Sequence, residues 1–224
     1  MIFTQETKMV EVALANHLNL HIIHRFGIAF GFGDKTIDEV CQASNLDTQI
    51  FLLVINSLND KSETEHIQLN KNQLLQLLTF LKNTHQYYYD YYLPIMRTTI
   101  ENLMRACSSQ TTKALYRFYN DYEAEVLHHL EHEEKHFFTY IEQFCTNDAF
   151  VESMIIDEED HHCSIDEKIF DIKNLLIKYI NTPEADMLKI KLLDQLFHFQ
   201  EDQNRHAKIE DVIMWSLKNQ NKTL

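Results

Sequence analysis

The chain has 224 residues, and 34 acidic against 20 basic side chains give it a formal net charge of −14. That balance argues against nucleic acid and against an anionic membrane surface as partners, because both require a basic face. Three glycines and two prolines are too few to punctuate a β-rich chain, while 45% apolar residues can fill a large core, so the expectation is an all-α protein.

The N-terminal run MIFTQETKMVEVALANH lacks a cationic stretch followed by an apolar one, and no segment approaches about 18 apolar residues. A soluble, cytoplasmic protein is therefore expected. The four cysteines, Cys41, Cys107, Cys145 and Cys163, are irregularly spaced and form no CxxC pair. They read as buried thiols of a reducing compartment.

Residues 1–60 are expected to form a small helical domain. All three glycines, Gly27, Gly31 and Gly33, fall in the single stretch GIAFGFGD. Thr36 and Glu39 then have the spacing of a capping box at the start of a helix. A helix-turn-helix DNA reader has a similar outline, but it would need a basic recognition helix. The polar, unperiodic stretch 59–72 reads as a linker.

Residues 70–220 are expected to form four long helices in an up-down bundle. Their apolar seams step by three and four, the pattern of a packed bundle helix. The first seam is Leu74, Leu78, Leu81, His85, Tyr88, Tyr92, Ile95. The second is Leu115, Tyr119, Tyr122, Val126, His129, Glu133, His136, Tyr140. The third is Val151, Ile155, Glu158, His162, Ile165, Ile169, Ile172, Leu176, Tyr179. The fourth is Leu192, Leu196, Phe199, Gln203, His206, Glu210, Ile213, Leu217. Breaks fall near Ser108–Ser109, Thr146–Asp148 and Asn181–Pro183, where Thr182 and Pro183 suit the N-cap and first position of the last helix.

Polar residues interrupt these seams near their middles. His129 and Glu133, and again His206 and Glu210, are i,i+4 pairs, so each pair aims an imidazole and a carboxylate from one helical face. His85 and His162 supply an imidazole from each of the other two helices. Unpaired carboxylates are costly to bury, and a metal would neutralise them and fill the imidazole lone pairs. Imidazole and carboxylate without thiolate suit iron, manganese or zinc, and carboxylates from facing helices can bridge two ions. The expected ligands are thus His85, His129, His162 and His206 as terminal imidazoles, with Glu133 and Glu210 bridging. His161 competes with His162, and the seam favours His162. His136 is a candidate for a further ligand or a supporting partner; Asp166, one turn past His162, could add a carboxylate ligand but reads rather as a supporting or solvated one. His198 and Asp202 repeat the spacing but lie off the seam and read as surface. The five tyrosines between Tyr87 and Tyr92 read as packing residues.

At these residues the chain resembles the hemerythrin-like HHE cation-binding family, and most closely the di-iron repair-of-iron-centres (RIC) proteins. The resemblance rests on His85 ahead of Leu93-Pro94, on His129 with Glu133-Glu134 and Phe137-Phe138, on a lone third-helix histidine, and on His206 with Glu210-Asp211 and Met214-Trp215. Thr139 and Ser216 stand where the family usually has proline. The resemblance reaches the first 60 residues through HRFGIAFGFGDKTIDEVC, but Gly31 and Phe32 replace the vicinal cysteines of that frame and only Cys41 is kept.

The resemblance implies two iron ions, oxo- or hydroxo-bridged, with manganese or zinc as alternatives. It implies small diatomics, oxygen and nitric oxide, as ligands and damaged iron–sulfur proteins as partners. The implied role is iron–sulfur centre repair or defence against nitrosative and oxidative stress. A non-catalytic oxygen or iron binder, serving as a sensor or store, is the competing reading. A homodimer is left open.

Overall fold

A computed structural model describes residues 2–57, 67–107, 109–146, 159–181 and 183–220. The described residues are all-α and contain no strand, only an isolated antiparallel bridge between Lys8 and Thr36. Four short helices come first: α1 (Met9–Ala15), α2 (Leu18–Arg25), α3 (Ile37–Ala43) and α4 (Thr48–Asn56). Then come α5 (Lys71–Tyr87), α6 (Leu93–Ala106), α7 (Gln110–Glu133), α8 (Thr139–Thr146), α9 (Glu159–Lys178) and α10 (Asp186–Gln220). Two π-helical segments, Tyr88–Tyr92 and Glu134–Phe138, join α5 to α6 and α7 to α8 without breaking the helical run.

The chain forms two compact units. The first comprises Met1–Thr84, Ile141–Phe150 and Asn204–Leu224. Its glycine loop turns by positive φ at Gly27 (74°), Gly31 (102°) and Gly33 (61°), a region open to glycine without strain. The capping box predicted at Thr36 forms, with Thr36 Oγ1 accepting from the Glu39 N–H and Glu39 accepting from the Thr36 N–H. Phe26 stacks on Phe80 at 4.5 Å and meets Phe51 at 5.4 Å, tying the early helices to α5. The end of α10 is held in this unit too, since Ser216, fully buried, accepts the Leu69 N–H at 2.9 Å. A proline at position 216 could not make that contact.

The second unit comprises His85–Tyr140 and Val151–Gln203. It contains α6, α7 with the first part of the helical run after it, α9, and the first half of α10. These segments enclose one core that includes Met96, Ile100, Tyr119, Tyr122, Ile169 and Phe199. Ser109 caps α7 through a reciprocal pair with Thr112, which satisfies the Ser109 and Thr112 N–H groups at the start of that helix. Pro183 opens a 3₁₀ turn ahead of α10, while Thr182 lies outside the described residues.

The π segments explain where the predicted seams slip. Leu93 donates its N–H to the Tyr88 carbonyl, five residues back. The extra residue absorbs Pro94, which cannot donate in a regular helix and would clash with the turn before it. One inserted residue rotates everything after it, so Met96 fills the core position expected for Ile95, which is half-buried. In the same way Phe137 is buried where His136 was expected, and His136 is exposed. At the end of α9 Ile180 is buried and Tyr179 is 64% exposed, because the helix has stopped at Lys178 and the 3.6-residue period no longer applies. Of the third seam, Val151, Ile155 and Glu158 lie outside the described residues.

Candidate metal centre

Within the second unit, Glu133 ends α7 and is 0% exposed. Its Oε1 lies 2.7 Å from Nε2 of His129, one turn earlier on the same helix. Its Oε2 lies 3.0 Å from Nε2 of His85, on α5. The two oxygens of one buried carboxylate therefore face two different imidazoles. His85 and His129 are themselves 1% and 6% exposed. A carboxylate in such a place is stable only with charge-compensating partners on both oxygens.

His85 is oriented by a partner on its other ring nitrogen. Nδ1 lies 2.9 Å from Oε1 of Glu134, and the ring packs on Phe138 at 4.7 Å between centroids. This holds Nε2 toward Glu133, the role a carboxylate plays behind a metal-binding imidazole. The His85 contact is also the main reason the Glu134 carboxyl sits below its ordinary value, against the opposing effect of partial burial. Tyr89 donates to the same Glu134 oxygen at 3.4 Å. Burial and then the Glu134 charge push its phenol well above the ordinary range. Both π segments begin within one turn of these residues, and such bulges recur where side chains are aimed at a functional point.

The second histidine–glutamate pair lies in the first unit. His206 Nε2 is 2.9 Å from Oε1 of Glu210, and both residues are buried. The i,i+4 geometry read from the sequence is thus realised in both copies of the pattern.

The other candidates divide. Gln86 is exposed and donates to Asp90 on its own helix, leaving His85 as the inward residue. Asp166 is exposed and accepts from Gln200 at 3.1 Å. The expectation that Asp202 is a surface residue is overturned: it is 2% exposed. It sits three residues past Phe199, close enough around the helix to share the apolar stripe. The side chains of His161 and His162 lie outside the described residues, although the backbone there belongs to α9.

Glu134, Tyr89 and Phe138 were not assigned these roles from the sequence. The Glu133-Glu134 doublet was the available signal, since a second acid beside a buried one must find its own partner. The donor atoms on hand are imidazole nitrogens and carboxylate oxygens. That set fits a divalent first-row cation such as iron, manganese or zinc.

Buried histidine–glutamate pairs on long helices define a metal-binding helical protein. Residues 76–216, more than half of the chain, match the hemerythrin HHE cation binding domain, and the chain belongs to that family of cation-binding helical bundles. No curated protein and no solved structure matches it. Among the described residues, no helix is long and apolar enough to cross a membrane.

Proposed function

We propose that this is a non-haem di-iron protein that binds oxygen or nitric oxide, with a role in iron–sulfur centre repair or in defence against nitrosative and oxidative stress. In this reading His85, His129, His162 and His206 are terminal ligands, and Glu133 and Glu210 bridge the ions. The observation that supports it best is Glu133, a fully buried carboxylate whose two oxygens lie beside two of the expected imidazole ligands, at 3.0 Å from His85 and 2.7 Å from His129. When bound, iron supplies redox capacity and open coordination positions for small diatomics. The protein's own part is to hold the donors, with Glu134 fixing the tautomer of His85 and the surrounding helices excluding bulk water. Likeness to the repair-of-iron-centres proteins in the glycine-loop frame suggests the repair role.

Cys41 favours the second reading, a non-catalytic sensor or store. It is the one cysteine kept from that frame, it is 0% exposed, and burial raises its thiol to about 12. Such a thiol is inert at neutral pH.

Anaerobic reconstitution with iron, followed by a metal count and a visible spectrum with oxygen or nitric oxide, tests the proposal. Two ions per chain and a diatomic-dependent spectrum are expected, with the count falling in a Glu210→Ala variant. Fewer than one ion per chain, unrestored by added iron, would sink the di-iron claim. Nitric oxide consumption with an electron donor supports repair or detoxification, and reversible binding without turnover supports the sensor.

A further inference from the structure

Beside the inward residues of α7 runs a second histidine stripe. His129 and Glu133 face the core, while His128, His132 and His136 follow one another at four-residue spacing on the outer face. His128 and His136 are exposed and His132 is half-buried. His132 and His136 straddle the start of the π segment Glu134–Phe138, and their ring centroids are 4.4 Å apart with planes at 41°.

That separation has a chemical meaning. With metal–nitrogen bonds of about 2.0–2.1 Å and about 1.1 Å from ring nitrogen to centroid, two imidazoles on one ion have centroids ~4.5 Å apart at a right angle and ~5.2 Å apart at the tetrahedral angle. The observed 4.4 Å matches the right angle. The ammonium of Lys135, the residue before His136, is paired with Glu131 at 2.6 Å. The net charge of −14 favours divalent cations over the whole surface.

We propose that His132, at the end of α7, and His136, in the π segment that follows, form a second metal site for a divalent ion that takes donors at right angles, with Cu2+ and Ni2+ fitting best and water completing the shell. It is separate from the buried centre and does not depend on what that centre binds.

The test is calorimetric titration of Ni2+ into the full chain as purified, with the electron paramagnetic resonance spectrum of one added Cu2+. The expected result is one tight Ni2+ per chain at this site and a two-nitrogen coupling pattern. His136→Gln should weaken that binding by about 100-fold, since losing one arm of a chelate removes its effective concentration. Iron content should not change in that variant, because His136 is exposed and outside the buried set. His128→Gln should stay within about threefold of wild type, as a merely nearby side chain would. Equal affinity in wild type and His136→Gln overturns the site, as does a one-nitrogen spectrum. A loss in His128→Gln as large as in His136→Gln overturns the pairing of His132 with His136.

Discussion

Replacing Glu133 by alanine separates a ligand from a merely buried acid. The wild-type carboxylate is 0% exposed and touches Nε2 of His129 at 2.7 Å and of His85 at 3.0 Å. Removing one partner of a buried, charge-assisted cluster costs about 3–5 kcal/mol, because the remaining groups lose their compensation. That is a large part of a total stability of about 5–15 kcal/mol. The metal adds a second, separable effect. A cation held at about 100 times its dissociation constant stabilises the folded state by about 2.7 kcal/mol. At about 2–4 °C per kcal/mol for a chain of this size, that is a rise of about 5–10 °C in Tm. Thermal melts of wild type and Glu133→Ala, each with and without anaerobic Fe2+, measure both effects. Wild type should gain the full increment and the variant much less of it. Equal gains in both proteins would refute the assignment of Glu133 as a ligand. A metal-free loss below about 1 kcal/mol would refute the reading that both oxygens are energetically engaged.

Glu134→Gln, at a half-exposed position, should leave the fold within about 1 kcal/mol of wild type. It should weaken metal binding by about 10–100-fold through the loss of the Nδ1 contact to His85, read by competition with a chromogenic chelator. Phe199→Ala removes a fully buried ring that meets Tyr88 at 5.0 Å and Tyr92 at 5.2 Å, and urea denaturation should show a loss of about 3–5 kcal/mol. Cys41 should be alkylated about a thousandfold more slowly in the folded than in the unfolded chain near pH 8, because burial raises its thiol from 9.0 to about 12. The sign follows for stability: the folded state keeps a proton that the unfolded thiol releases, so this contribution is intact below pH 9 and is lost as pH rises from 9 toward 12. Mass spectrometry of the alkylated chain reads the rate, and labelling of Cys41 at the unfolded rate in folded protein would contradict the burial.

The local geometry of the candidate site was legible because its elements are local. An i,i+4 pair on a helix shares a face whatever the helix packs against, so His129–Glu133 and His206–Glu210 could be read from spacing, and both pairs are in contact. His85 could be singled out because it breaks an apolar seam. What spacing could not supply was the orientation of that ring. Glu134 reaches from the start of the π segment after α7 to the Nδ1 of a residue on α5, 49 positions away, and only the packing of these helical runs brings them together.

The sequence by itself determined the helical class, the capping box at Thr36, and the pairing of each histidine with its glutamate, because all three follow from hydrogen bonds and side-chain periodicity within a few residues. Tertiary structure decided the register beyond each π segment. The residue inserted in each shifts the helix face, burying Met96 and Phe137 in place of Ile95 and His136, which periodicity cannot foresee. It also decided that Asp202 is buried and His136 is exposed, since burial depends on which neighbour a face meets and not on the face alone.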